Sequence, residues 1–567
     1  MNSSRVASYG LKLPSLRPYA VYIVIALFLI VFLAFPVLKV IYVAFQDTHT
    51  GSLTLVNFHD FFSNSLFRES FCNSLYVACV SVCLASAFAL PLAYFTSRFN
   101  FSGSVVIQTL SFIPLLMPPF IGAVALRLLL GTNGSVNLLL RSHFGFTIPF
   151  MEGLNGVILV DSIHYFPFIL INLSASLSNI DRSMEEAAQT LGSSGFRLFR
   201  KIVFPLSMPG FIAGASLVFV KVFDDLGTPL LLSVNKMLPP QAYLRITSIG
   251  ISDPMGYVIS CILVAFSVFA MWVSFLGMRG KDYATVQKGG GGLSKRDLRP
   301  MESAACYVVV LLILVIVLAP HVALLLLSFG TVWSFGVLPN GYTLAHYHQA
   351  FTTAFGFIVN TILYAGLAAL IDVLIGTAIA YIGQRSDIIG RKWLDYLATA
   401  ALGIPGIVIG IGYLRAFNNV NMPFSDQTMA SWWGVIVIAL AVRRLPYALR
   451  SCVAGLQQVP VSLEEASQNI GATSLRTIWR IVAPLMSGGL VAAFVTSFAT
   501  AAVELSATLM LVSKQEDGPI SYGIYLYMQV VSGRGAGAAL GIIAVIIVGL
   551  ATFLSHQLVA GARRKMA

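Results

Sequence analysis

Apolar residues run through this chain in long blocks separated by short polar stretches. That pattern is neither the two-residue alternation of a half-buried strand nor the one-sided stripe of a soluble helix. Blocks lie near 20 to 45, 72 to 96, 104 to 130, 155 to 177, 207 to 232 and 257 to 278. The series then repeats near 302 to 328, 357 to 383, 394 to 416, 432 to 456, 485 to 511 and 535 to 558. About 20 apolar residues suffice for a helix to cross the hydrocarbon layer of a bilayer. The pattern predicts an all-α integral membrane protein with about 12 transmembrane helices in two six-helix repeats. Six spans per repeat is an even number, so the halves insert in parallel, related by a pseudo-twofold axis along the membrane normal.

The polar stretches repeat too. After the fourth block comes Met184-Glu185-Glu186-Ala187-Ala188-Gln189-Thr190-Leu191-Gly192, then Arg197, Arg200 and Lys201, then Ile202-Val203-Phe204-Pro205. After the tenth comes Leu463-Glu464-Glu465-Ala466-Ser467-Gln468-Asn469-Ile470-Gly471, then Arg476 and Arg480, then Ile481-Val482-Ala483-Pro484. The two copies, at about 181–205 and 460–484, superpose without a gap at an offset of 279 residues. Glu-Glu-Ala-Ala favours a helix, with its acidic residues early, where a helix N-terminus attracts negative charge. Gly192 and Gly471 end or bend that helix, and a basic helix stopped by proline follows. Such a hairpin is too polar for lipid. One copy alone reads equally well as a solvated loop, but two matched copies point to a docking element.

Other repeat positions share an offset of 287: Asn73 with Asn360, Arg98 with Arg385, and Pro118 with Pro405. The second half has therefore lost eight residues, most economically in the loop holding Gly131-Thr132-Asn133-Gly134. Loops tolerate such changes where spans do not.

A chain that is 57% hydrophobic and 10% charged, with mean hydropathy +0.84, is excluded from the soluble globular class. Its net charge of +12 does not point to nucleic acid, because Lys and Arg are scattered between apolar blocks without a patch interleaved with aromatics. They follow a sidedness instead. Arg98, the cluster Arg182 to Lys201, the stretch Arg279 to Arg299, Arg385, Arg391, Lys392, Arg476, Arg480 and Arg563-Arg564-Lys565 all fall on one side. The loop from Ser328 to Phe357, on the other side, has no Lys or Arg. Both termini and both hairpins are expected in the cytoplasm. Arg5, Lys12 and Arg17 precede a first block too long for a signal h-region, which predicts an uncleaved span. Lys288 to Arg296 is rich in glycine and reads as a hydrated linker. The expected organisation is a first repeat over 1–280, a linker over 281–300 and a second repeat over 301–567. The six cysteines lack disulfide or metal spacing and read as small apolar residues.

Charge inside the blocks is scarce and therefore informative. Asp225, which follows Asp224, and Glu504 are repeat equivalents, each heading a tail: Leu226-Gly227-Thr228-Pro229 and Leu505-Ser506-Ala507-Thr508. Gly227 and Pro229 should break their helix, and freed backbone in a membrane is tolerated only beside protein or a water-filled cavity. Asp225, Gly227, Pro229 and Glu504 are thus candidates for lining or gating a pathway. The alternative is fixed ion pairing, with Arg443 or Arg444 available as partner. No phosphate-binding loop, zinc signature or nucleophile elbow occurs, so no catalytic residue, metal ligand or bound cofactor is expected. His164 reads as a satisfied core residue rather than a ligand.

Glu186-Ala187-Ala188 with Gly192, Ile202 and Pro205, and the second copy with Ser467 for the final alanine, resemble the "EAA" loop of ATP-binding-cassette importer membrane subunits. The chain resembles two such permeases fused end to end. The resemblance implies that Glu185, Glu186, Ala187 and Gly192, with Glu464, Glu465, Ala466 and Gly471, couple to two copies of a separate ATPase, which uses ATP and magnesium. It also implies a periplasmic or lipid-anchored substrate-binding protein and a place in the bacterial inner membrane. The fusion and the Asp225-Leu226-Gly227-Thr228-Pro229 run are most similar to the permeases for ferric iron and for 2-aminoethylphosphonate or other phosphorylated solutes. The competing reading is a major-facilitator-like secondary transporter with six plus six helices driven by an ion gradient. The stretch from Gly383 to Lys392 resembles that family's loop, but its first-half counterpart does not.

Overall fold

The computed structural model describes residues 16–47, 50–278, 295–298, 300–333, 336–423 and 426–566. Arg5, Lys12, Arg279, the linker glycines, and the side chains of Arg17 and of Arg563-Arg564-Lys565 lie outside the described residues. Among those described, nine helices are long and apolar enough to cross a membrane, and eleven if each of two bent pairs is one span. The remaining block, Gly434–Gln457, is a 24-residue helix whose apolar character is interrupted by Arg443, Arg444 and Arg450.

The expected blocks are not all unbroken helices. In the third span of each half the helix stops before a proline at the same repeat position. Ser104–Leu116 ends ahead of Met117 and Pro118, while Arg391–Gly403 and Gly406–Phe417 meet across Pro405 at 109°. Proline has no N–H to donate and pushes the preceding residue out of the helical region. Met117 (φ −109°, ψ 130°) and Ile404 (φ −100°, ψ 117°) are accordingly extended. The fifth block also breaks, but not at Gly227-Thr228-Pro229 as expected. Helix Phe204–Phe223 ends at Asp224, and Gly227, Thr228 and Pro229 open the next short helix, Gly227–Leu231. A first turn has no intrahelical use for proline's missing N–H. Ser487–Ala502 and Ser506–Leu511 repeat this break in the second half.

The first span of each half packs on its own half and also reaches across to the opposite one. Ile25 and Leu29 share a core with Ile379, Leu394 and Leu449, and Tyr22 Oη donates to Gly390 O at 3.3 Å. Conversely, Cys306, Val310 and Val317 of Pro300–Phe329 join the first-half core, and Tyr307 Oη donates to Ser102 O at 2.8 Å. Fully buried Tyr413 donates to Phe32 O at 2.6 Å within a π-helical turn, Ile30–Ala34. Tyr413→Phe is expected to lower stability by about 1 kcal/mol, the net worth of one such bond, measured as a shift in thermal unfolding in detergent.

The extra first-half residues fall where the repeat offset changes. Leu130 is followed by Gly131 to Gly134 and a short helix, Ser135–Phe144, while Phe417 is followed by a loop closed by an Asn421–Thr428 bridge.

Candidate functional site

Each hairpin is a nine-residue helix, Arg182–Thr190 or Val461–Asn469, closed by a glycine turn and a second short helix. The turns are the same. Gly192 (φ +83°) donates to Gln189 O and Ser193 to Ala188 O, both at 2.9 Å. Gly471 (φ +88°) donates to Gln468 O at 2.9 Å and Ala472 to Ser467 O at 3.1 Å. This paired closure needs a left-handed residue, which glycine adopts without strain. Matching π-helical turns, Phe199–Val203 and Ile478–Val482, lead from the hairpins into the fifth spans.

The two glutamates of each hairpin part company. Glu185 pairs with Arg98, and Glu464 pairs with Arg385 at 2.7 Å while accepting from Tyr381 Oη at 3.1 Å. Arg385 also donates to Val459 O at 2.7 Å. Glu185 and Glu464 therefore anchor each hairpin to the end of its own half's second span. Glu186, Ala187 and Gly192, like Glu465, Ala466 and Gly471, are exposed. Beside them stands an apolar knob that the charged pattern of the hairpin does not announce: Leu191 and Ile470 are each 87% exposed, and Phe196 and Leu475 are exposed at matched positions. The signal for the anchors was present in two constant offsets, Arg98 to Arg385 and Glu185 to Glu464.

Between the halves the broken spans converge on a buried ion network. Arg443 Nη2 reaches Asp224 Oδ2 at 2.6 Å, and its Nη1 reaches Glu504 Oε1 at 2.7 Å. The other Asp224 oxygen accepts from Gly406 N at 3.1 Å, at the start of the helix beyond Pro405. A Cβ on residue 406 would fall 1.3 Å from Arg443 Nη1, so the guanidinium is admitted only past glycine. Asp225 caps the helix that follows it, accepting from Gly227 N at 3.2 Å and Thr228 N at 3.3 Å. Glu504 does the same for Ala507 N at 3.1 Å and Thr508 N at 3.2 Å. Carboxylates at helix N-termini satisfy orphan donors and complement the helix dipole.

Asp225, Gly227 and Glu504 line one cavity of about 160 Å³, with Asp224, Arg443 and Arg444 in its wall. Glu504 both lines this cavity and is ion-paired with Arg443, the partner that the sequence offered. Pro229 is buried in the turn behind the wall. Asp161, fully buried, neighbours Asp225 and Thr228 and carried no signal in the sequence reading. His164 Nδ1 is bonded to Val160 O at 2.8 Å, while its Nε2 has no protein partner among the described residues. Among the described residues no three His, Cys, Asp or Glu converge as a metal-ligand set.

The profile of the binding-protein-dependent transport system inner membrane component matches residues 86–276 and again 372–565, each match enclosing one hairpin and one fifth-span break. The chain belongs to that family. As a transport-system membrane component of this kind, it is a multi-pass membrane protein carrying the family domain twice. A ferric transport system permease protein from Actinobacillus pleuropneumoniae is 31% identical over 80% of this chain and 64% of its own length. A putative ferric transport system permease protein from Haemophilus influenzae is 27% identical over 86% of this chain and 77% of its own. A probable molybdenum ABC transporter permease from Haloferax volcanii is 30% identical over 37% of this chain and 75% of its own. Membership in the transport-component family does not favour the facilitator reading.

Proposed function

We propose that this protein is the membrane-spanning permease of a binding-protein-dependent ABC importer, and that its cargo is ferric iron. Two copies of a separate ATPase dock on the two hairpins, one on each. A periplasmic or lipid-anchored binding protein delivers solute to the opposite face. Both termini and both hairpins lie on the cytoplasmic side of a bacterial inner membrane. The observation that carries this reading is the pair of hairpins, identical in turn geometry, each pinned by an Arg–Glu pair and each presenting exposed glutamate, alanine and a large apolar side chain. Closure of the ATPase pair around ATP and magnesium would draw the hairpins together and rock the halves. The iron assignment is supported by two relatives named for ferric transport that align across most of this chain.

The test is uptake into liposomes holding the permease with its ATPase, supplied with the iron-loaded binding protein. Iron accumulation that requires hydrolysable ATP on the hairpin side is expected. Accumulation driven by an ion gradient with no ATPase present would sink the proposal.

A further inference from the structure

We propose that Asp224, Arg443 and Glu504 form an ionic latch across the two halves, and that this latch is the barrier that must part for solute to pass. The inference rests on the transport reading above and adds the residues that hold the route shut.

Asp224 belongs to the first half, and Arg443 and Glu504 to the second. All three are nearly dry, with side-chain exposures of 9%, 10% and 3%. Two cavities meet at this point. The one described above, about 160 Å³, contains Pro118, Asp225, Gly227 and Ser506 in its lining. A second, about 360 Å³, contains Ser216, Met271, Phe275, Pro405 and Tyr447. Met271 and Phe275 come from the last turns of Pro254–Met278, which runs back towards the hairpin end. Both cavities share Lys221, Asp224, Arg443 and Arg444 as walls, so the Asp224–Arg443 pair stands between them, with Glu504 holding Arg443 from the side of the first cavity.

The connectivity makes the partition movable. The helix ending at Asp224 continues directly from the first hairpin's π-helical turn, and Glu504 stands at the far end of the helix arm leaving the second. Arg443 sits on a different element, near the middle of Gly434–Gln457. The helix carrying Arg443 runs into the second hairpin and the helix arm before Glu504 leaves it, so displacing one hairpin relative to the other shifts Asp224 relative to both Arg443 and Glu504. A buried pair is held strongly while dry and weakens steeply once water enters, because the attraction scales inversely with the local dielectric. Among the described residues the latch has no repeat counterpart: the equivalent of Arg443 is His164, whose ring bonds a backbone carbonyl.

The test places a cysteine in the hairpin-side cavity with Ser216→Cys and adds a membrane-impermeant thiol reagent to the opposite face of uniformly oriented liposomes. Modification of position 216 is read by peptide mass spectrometry, which separates it from the native cysteines. With the latch intact, slow labelling is expected. With Asp224→Asn, Arg443→Gln and Glu504→Gln together, which keep hydrogen-bonding groups but remove the charges, labelling should accelerate at least tenfold. Should that triple variant not assemble, Glu504→Gln alone should accelerate it at least threefold. Equal rates with and without the charges would overturn the latch. This readout needs neither ATP nor iron, so its outcome is separable from that of the uptake experiment.

Discussion

Gly192→Val or Gly471→Val is expected to cut ATP-driven uptake at least tenfold while leaving the protein inserted and its spans intact. Both glycines stand at φ above +80°, and no atom lies within 4 Å of the space a Cβ would fill. The strain is therefore conformational rather than steric crowding. A left-handed L-residue costs about 1–2 kcal/mol, and a β-branched one sits at the unfavourable end. The turn would relieve that strain by opening, losing its paired closure and moving the exposed Leu191 or Ile470 beside it. A change of 1.4 kcal/mol is tenfold in an equilibrium. The diagnostic quantity is iron taken up per ATP hydrolysed, with membrane content as control. Unchanged uptake in both variants would remove the hairpins from the mechanism.

Arg443→Leu should destabilise the protein by about 3–5 kcal/mol, because it strands Asp224 and Glu504 as uncompensated charges in a dry interior. Most of that loss should be recovered when Asp224→Asn and Glu504→Gln are added to the same chain, since the penalty belongs to the orphaned charges rather than to the missing arginine. Thermal unfolding in detergent measures both. Recovery fails if the contribution of Arg443 is packing alone, and a wild-type melting temperature for Arg443→Leu would show that the three groups are not coupled in the folded protein.

Much of this was legible from the chain. Apolar blocks gave the helical membrane fold because a bilayer imposes length and composition together. The constant offset between Glu185 and Glu464 identified the hairpins as duplicated. Where the spans break was less visible. Gly227 and Pro229 signalled a break, yet the helix yields earlier, at Asp224, because glycine and proline are compatible with a first turn. Pro118 and Pro405 are repeat partners, yet the apolar pattern runs on through them and gives no sign that the spans break there. Neither Asp224 nor the choice of Arg443 over Arg444 could be read from sequence, since two adjacent arginines on a helix face different neighbours and only the packing decides between them. The reach of the first spans into the opposite half was hidden for a plainer reason: both are uniformly apolar, and hydropathy does not say which half a helix leans on.

That reach sets a timetable for biosynthesis. Tyr22 meets Gly390, which is 368 residues downstream. At ribosomal speeds of ~5–20 residues per second, the Tyr22 end of the first helix waits roughly 20–70 s in the bilayer before Gly390 exists. A nascent chain released after its first repeat would leave the face carrying Ile25 and Leu29 covered only by lipid or by the insertion machinery. Joining the halves in one polypeptide guarantees that the awaited surface arrives on the same ribosome.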